Sequence, residues 1–313
     1  MILRRLNDQR GQTFVLTAIA MVMICGMAAL VLDVGHWFRD KRRLQGTADA
    51  AALAGAQQLP GAPGQAKTMA RDYANKNGGD VSASDIVVSS TYISNDTIAV
   101  AAKRNDPGIF SRVIGVGNTD ISARAKARVG NPISVLHVAP MVVRCNHPLI
   151  QNCNNNGNLP QFNVPTTLDY DPMGAPGAFG MLNLNKGGGT PGSSEEADWI
   201  LKGYDAWLDV NKDYLSDPGA KFSSNEVQSA LDSRMANDPV LMFPVYQRPT
   251  GTGQNAKYFI IGWIGFHLTS YVIHGNNATL TGYFTTYIAR GVLASGGPGN
   301  STNYGTFSIQ LIE

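Results

Sequence analysis

The chain has 313 residues, with 25 Lys and Arg against 23 Asp and Glu, a formal net charge of +2. So small an excess excludes the basic stripe of a dedicated nucleic-acid binder. Charged residues, at 15%, are sparse and the 34 glycines are abundant, which suits a loop-rich, β-containing body better than a helical bundle.

From Gly11 to Leu32 the only ionisable side chain is the thiol of Cys25. The run from Phe14 to Leu32 meets the ~20 residues needed to cross a hydrocarbon layer ~30 Å thick. Phe14, Val15, Leu16, Ile19, Val22, Ile24, Leu30, Val31 and Leu32, at ~0.3–0.6 kcal/mol each, favour insertion by roughly 3–5 kcal/mol. A buried core helix would carry a polar stripe, whereas this one has only Thr17 and Gly26 to interrupt it. A cleaved secretory signal has a shorter apolar region, of ~7–15 residues, and ends at a small-residue site; here Asp33-Val-Gly-His-Trp-Phe follows, so the helix is expected to stay attached. Arg4, Arg5 and Arg10 flank one end and Arg39, Lys41, Arg42 and Arg43 the other, so the positive-inside rule does not orient it.

No proline interrupts Gly35 to Leu59, and alanine dominates the second half of that stretch. A continuous helix to Leu59 would be ~70 Å long, with roughly half of it beyond the bilayer. Its small-residue faces, Gly26, Ala28 and Ala29 and then Ala48, Ala51, Ala52 and Gly55, are expected to pack against partner helices, because small side chains permit close approach.

After the break at Pro60-Gly-Ala-Pro-Gly64, a small αβ unit is expected. Ala66, Met69, Ala70, Tyr73 and Ala74 recur at helical spacing up to the stop at Asn77-Gly78-Gly79. Ile86–Tyr92 and Thr97–Lys103 read as strands joined at Ser94-Asn95-Asp96, and Pro107–Val116 as a short helix opened by proline. Ile121, Ala123, Ala125, Ala127 and Val129 then alternate with Ser122, Arg124, Lys126 and Arg128, a half-buried strand with a basic outer face.

Beyond Gly130-Asn-Pro132 the composition changes. Residues Gln151 to Gly189, heavy in Asn, Gly and Pro, read as irregular. Two amphipathic helices follow, each behind a capping-box pattern, Ser193-x-x-Glu196 and Ser223-x-x-Glu226. Val240–Gln247, Tyr258–Leu268, Thr279–Arg290 and Thr306–Ile312 read as strands, the second apolar on both faces and therefore central. The expected class is α+β: a membrane and stalk helix over residues 1–59, a small αβ unit over 60–130 and a β-rich extracytoplasmic domain over 131–313.

Catalytic and metal signals are thin. His36 sits beside Trp37 at the membrane edge, where anchoring is its expected role; His137, His147, His267 and His274 are scattered. Lys186-Gly-Gly-Gly-Thr190 lacks the order of a phosphate loop. Glu195 and Glu196 are explained by helix capping. Asn152–Asn158 and Asp169–Asp171 offer oxygen ligands at no recognised calcium-loop spacing. Cys145 and Cys153 bracket a turn-rich stretch and are expected to form a disulfide, which would fit an oxidising compartment; a metal site with His147 would want a fourth ligand. No enzymatic activity, cofactor or metal is expected.

Arg10-Gly11-Gln12, the apolar span, Asp33-Val34-Gly35, Arg43-Leu44-Gln45 and Ala48-Asp49-Ala50-Ala51-Ala52-Leu53-Ala54-Gly55-Ala56 together resemble the N-terminal region of TadE/TadG-like Flp pilus assembly proteins. Pro107–Val116 and the strand after it extend the resemblance to about Gly130, and Gly262–Tyr283 resembles longer TadG-related chains more faintly. The resemblance implies a cytoplasmic N-terminus, a body in the periplasm or outside the cell, and a role in tight-adherence pilus biogenesis. It also implies the lipid bilayer and other pilus assembly proteins or pseudopilins as partners, with no nucleic acid and no small-molecule substrate. Two features depart from the family pattern. Leu16 stands where a prepilin-type glutamate would follow Gly11, which argues against peptidase processing. Asp80-Val-Ser-Ala-Ser84 has the letters of a von Willebrand A metal motif but precedes a strand instead of following one, and reads as a polar turn.

Overall fold

The computed structural model describes residues 10–78, 81–110, 112, 118–154, 157–171, 177–185, 189–251, 255–275, 277–293 and 301–313. Mixed α+β architecture follows, with one long N-terminal helix and strand-rich sheets, and the chain divides into two compact units. The first holds helices α1 (Arg10–Ala56) and α2 (Pro63–Lys76), strands β1 (Ile86–Ser89) and β2 (Thr97–Pro107), and β3 (Asn118–Gly130) as far as Ala127. The stalk and the αβ unit, expected as separate domains, are therefore one body.

Small side chains explain why. Ala48, Ala51, Ala52 and Ala56 of α1 and Ala66, Ala70 and Ala74 of α2 are all fully buried, and α1 packs on both α2 and β2. At Gly55 an added Cβ would lie 2.6 Å from Ile98 Cδ1, 2.8 Å from the Ala66 carbonyl oxygen and 3.0 Å from Ala70 Cβ. The expectation that Ala48, Ala51, Ala52 and Gly55 face partner helices is thus corrected: α2 and β2 of the same chain cover that surface. β1 pairs antiparallel with β2, which lies next to β3. The alternation of β3 holds from Ile121 to Val129, except that Arg128 is buried and its guanidinium lies 4.6 Å from the centre of the Tyr92 ring. Pro107 closes β2 instead of opening a helix; residues 111 and 113–117 of that expected helix lie outside the described residues.

The second unit is built on a sheet that closes on itself. Its strands are β4 (Ser134–Val135), β5 (Met141–Arg144), β6 (Pro165–Tyr170), β7 (Ala178–Met181), β8 (Leu208–Asp209), β9 (Lys212–Leu215), β10 (Val240–Thr250), β11 (Lys257–His274), β12 (Asn277–Thr285), β13 (Tyr287–Ile288), β14 (Gly291–Val292) and β15 (Thr306–Leu311). The order β10-β5-β7-β6-β12-β11 returns to β10, because β10 pairs with both β5 and β11. β11 was read as central because it is apolar on both faces, and both faces are indeed covered. Ile264, Phe266 and Leu268 join one core with Phe243, Phe179 and Leu280, whereas Tyr258, Ile260 and Trp263 join another with Met242, Tyr246 and Leu208.

Helices α3 (Ser193–Lys202) and α4 (Asn225–Asn237) pack on one another. Each cap sits one residue from its expected place. Gly192 is the N-cap of α3, and its N–H donates to Glu195 Oε2 at 2.9 Å; Ser224 caps α4, its hydroxyl accepting from the Val227 N–H at 3.2 Å. Glu196, freed from capping, is fully buried and accepts from the Lys221 N–H at 2.8 Å, with Lys221 Nζ at 3.3 Å. Cys145 and Cys153 are joined by a disulfide.

Substituting Gly55→Val should lower the stability of the first unit by about 1–3 kcal/mol through overpacking, read as a lower unfolding temperature of the detergent-solubilised chain. Replacing both Cys145 and Cys153 by Ser should destabilise the second unit by about 2–3 kcal/mol, the loop-closure effect for so short a loop, measured by denaturant unfolding against the oxidised wild type. Burial pushes the Glu196 carboxyl up to about 7, against the opposing pull of Lys221. Its folded value lies above its unfolded one, so its contribution to stability is complete below about pH 4.5 and is lost as the pH rises through about 7. Wild type and Glu196→Gln should therefore melt alike at pH 4 and diverge by pH 8, with the wild type lower.

Candidate membrane anchor and juxtamembrane clasp

Helix α1 meets two different surroundings. Every side chain from Thr13 to Leu32 is exposed except half-buried Ala29, and large apolar groups stand open, Phe14 at 77% and Val22 at 72%. In water such a surface would be strongly unfavourable, at about 25 cal/mol per Å² of apolar area. Length and composition make α1 long and apolar enough to cross a membrane. Gly26, Ala28 and Ala29 lie in this uncovered stretch, and nothing stands within 4 Å of a Cβ added at Gly26.

Cover begins at Asp33. Asp33, Asp40, Leu44, Thr47, Ala48, Ala51 and Ala52 are buried at helical spacing along one face. The stripe opens with a polar clasp. Asp33 accepts from the backbone N–H groups of Ile109 (3.0 Å to Oδ1) and Phe110 (2.9 Å to Oδ2), which ties the end of the span to the segment after β2. One turn on, His36 Nε2 lies 3.3 Å from Asp106 Oδ2 and 3.9 Å from Asp40 Oδ2, and Arg104 Nη1 lies 3.7 Å from the same Asp40 oxygen. The buried carboxyls share a hydrogen bond. That bond, with the positive charges of Arg104 and His36, holds Asp40 below the usual carboxylate range, while the same bond and burial push Asp106 above it. Gln45 extends the clasp, donating from Nε2 to the Arg124 carbonyl oxygen at 2.8 Å.

His36, Asp40 and Asp106 are residue types that hold divalent cations, and their ligand atoms lie within 4.8 Å of one another. Arg104 already supplies positive charge there, and the geometry is that of an ion-pair network binding α1 to β2. Beside it, Val34, Trp37, Phe38 and Lys41 of α1 and Thr119, Asp120, Ile121 and Ser122 of β3 line an open groove of about 330 Å³.

Sequence reasoning placed His36 at the membrane edge but missed its carboxylates. The spacing Asp33, His36, Asp40 puts all three on one helix face, and that polar stripe below an apolar span was the available signal. The other histidines are dispersed. His267 stacks on Tyr283, ring centres 4.6 Å apart. His147, pushed down to about 4 by burial, accepts from the Leu149 N–H at 3.1 Å and is a neutral structural group. His137 lines a cavity of about 300 Å³ in the second unit with Trp199, Lys202, Arg234, Asp238 and Tyr287. Asp80 of the Asp-x-Ser-x-Ser stretch, residues 186–188 of the Lys-Gly-Gly-Gly-Thr stretch and residues 155–156 of the Asn-rich run lie outside the described residues. Asp169 accepts from the Thr279 hydroxyl at 2.6 Å.

No curated protein and no solved structure matches the chain. Residues 11–58, which carry both the uncovered span and most of the covered stripe, match the family described as Flp pilus-assembly TadE/G-like.

Proposed function

We propose that the chain is a non-enzymatic, single-pass component of Flp-type pilus assembly, with its N-terminus in the cytoplasm and its second unit outside the bilayer. The observation that carries this is the coincidence, within residues 11–58, of the family match with an apolar helix left bare to Leu32 and clasped from Asp33 onward. A bond between Cys145 and Cys153 suits an oxidising compartment and so supports the outward direction. The αβ unit covers Ala48, Ala51, Ala52 and Gly55, so contacts with other pilus proteins in the membrane fall to the span, around Gly26, Ala28 and Ala29. In this reading the second unit presents a surface to pilus partners.

A tethered ligand-binding or adhesive module is the alternative, favoured by the cavity around His137, Lys202 and Arg234. One experiment separates the two. Deleting Thr13–Leu32 from the chromosomal copy should abolish both membrane retention and piliation, scored by fractionation and electron microscopy. Normal piliation with loss of attachment to a surface would overturn the assembly reading and favour the module.

A further inference from the structure

The groove between α1 and β3 lies where a lipid headgroup would be. If the span ends at Leu32, Trp37 stands about 7 Å further along the helix axis at 1.5 Å per residue. The headgroup layer is about 5–8 Å deep on each side of the hydrocarbon, so Trp37 falls at its outer margin. Lys41 is one turn further, and its long stem lets the ammonium reach back toward the same layer.

The lining is amphipathic and is not satisfied from within. Val34 and Phe38 are exposed at 36% and 64%, continuing the bare apolar surface of the span. The Trp37 indole Nε1–H is buried without an acceptor. Among the described residues the side chains of Lys41, Thr119 and Ser122 have no hydrogen-bond or ion-pair partner. Asp120 accepts one bond, at 2.6 Å from Asn105 Nδ2 to its Oδ1, and has a second oxygen to offer. One cation and one anion therefore line the same groove, with hydroxyls beside them and apolar walls that lead into the membrane.

We propose that this groove holds the headgroup of an ethanolamine phospholipid from the bilayer that α1 crosses, with the phosphate at Lys41 and the ammonium at Asp120. Charge complementarity selects this headgroup. A glycerol headgroup brings a phosphate but no cation for Asp120, and a choline headgroup brings a cation with no N–H to donate. The site rests on the membrane reading of α1 but not on the pilus role. Occupied, it would fix the depth and rotation of the helix in the bilayer.

The test uses the full chain in nanodiscs of choline phospholipid carrying equal small fractions of ethanolamine and glycerol phospholipids, followed by gentle release and native mass spectrometry. The wild type should retain one ethanolamine lipid in preference to the others. Lys41→Gln and Asp120→Asn, which keep side-chain size and the Asn105 bond, should each reduce that retention about tenfold, the loss of one charge-assisted contact. Unchanged circular dichroism would show that the fold survives, and added inorganic phosphate should not displace the lipid. Equal retention of all three lipids, or variants that retain lipid like the wild type, would overturn the groove while leaving the membrane reading intact. A chain recovered soluble, outside the nanodisc, would overturn both.

Discussion

Backbone in hydrocarbon has no water to bond with, so a single crossing segment must satisfy its own amides, and a helix is the only way one segment can do so. The rest of the first unit depends on that constraint. Once α1 is committed to helix through the span, carrying the same helix onward adds hydrogen bonds without a new nucleus. The alanine-rich second half prolongs it to Ala56 at little conformational cost. What changes along the rod is only what covers it. Apolar side chains of every size are left bare for lipid, and small ones are covered by α2 and β2. The transition falls at Asp33, where a carboxylate accepts two backbone N–H groups that a turn following a strand would otherwise leave to water.

The span was legible because Phe14 to Leu32 carry no charged side chain and only Thr17 and Gly26 interrupt the apolar run, and β3 because apolar and polar residues alternate in its sequence from Ile121 to Val129. β11 was legible as central for the opposite reason, the lack of alternation. What the sequence hid were relations between distant segments. Ala48, Ala51, Ala52 and Gly55 announce that something packs closely, but composition does not say whether the neighbour is a partner helix or α2 of the same chain; Ile98 and Ala66 decide it. The capping boxes were displaced by one residue because Gly192 and Ser193 compete for the N-cap of α3, and Ser223 and Ser224 for that of α4. Glycine won at α3 by releasing Glu196 to reach Lys221.

The juxtamembrane cluster was half-visible. His36 was noticed beside Trp37 just past the end of the apolar run. Its carboxylate partners were not found, because Asp106 lies seventy residues away on β2 and only the fold brings it within 3.3 Å. Asp33 and Asp40 are on the same helix face and were within reach of a helical-wheel argument. A buried acid beside an apolar span invites a catalytic or metal interpretation. Here each carboxyl has a counter-charge or a backbone donor within reach, which is what a mechanical joint between two elements needs.

Because no break separates the bare half of α1 from the covered half, the orientation of the span about its own axis is locked to that of the αβ unit. Each residue of an α-helix advances about 100° and 1.5 Å. A one-residue insertion at Leu32–Asp33 would turn the whole lipid-facing surface by more than a quarter circle relative to β2, with every contact of both halves kept. The chain thus behaves as a shaft with two keyed ends. Turning or sliding the span relative to the αβ unit would require breaking the packing of α1 on α2 and β2.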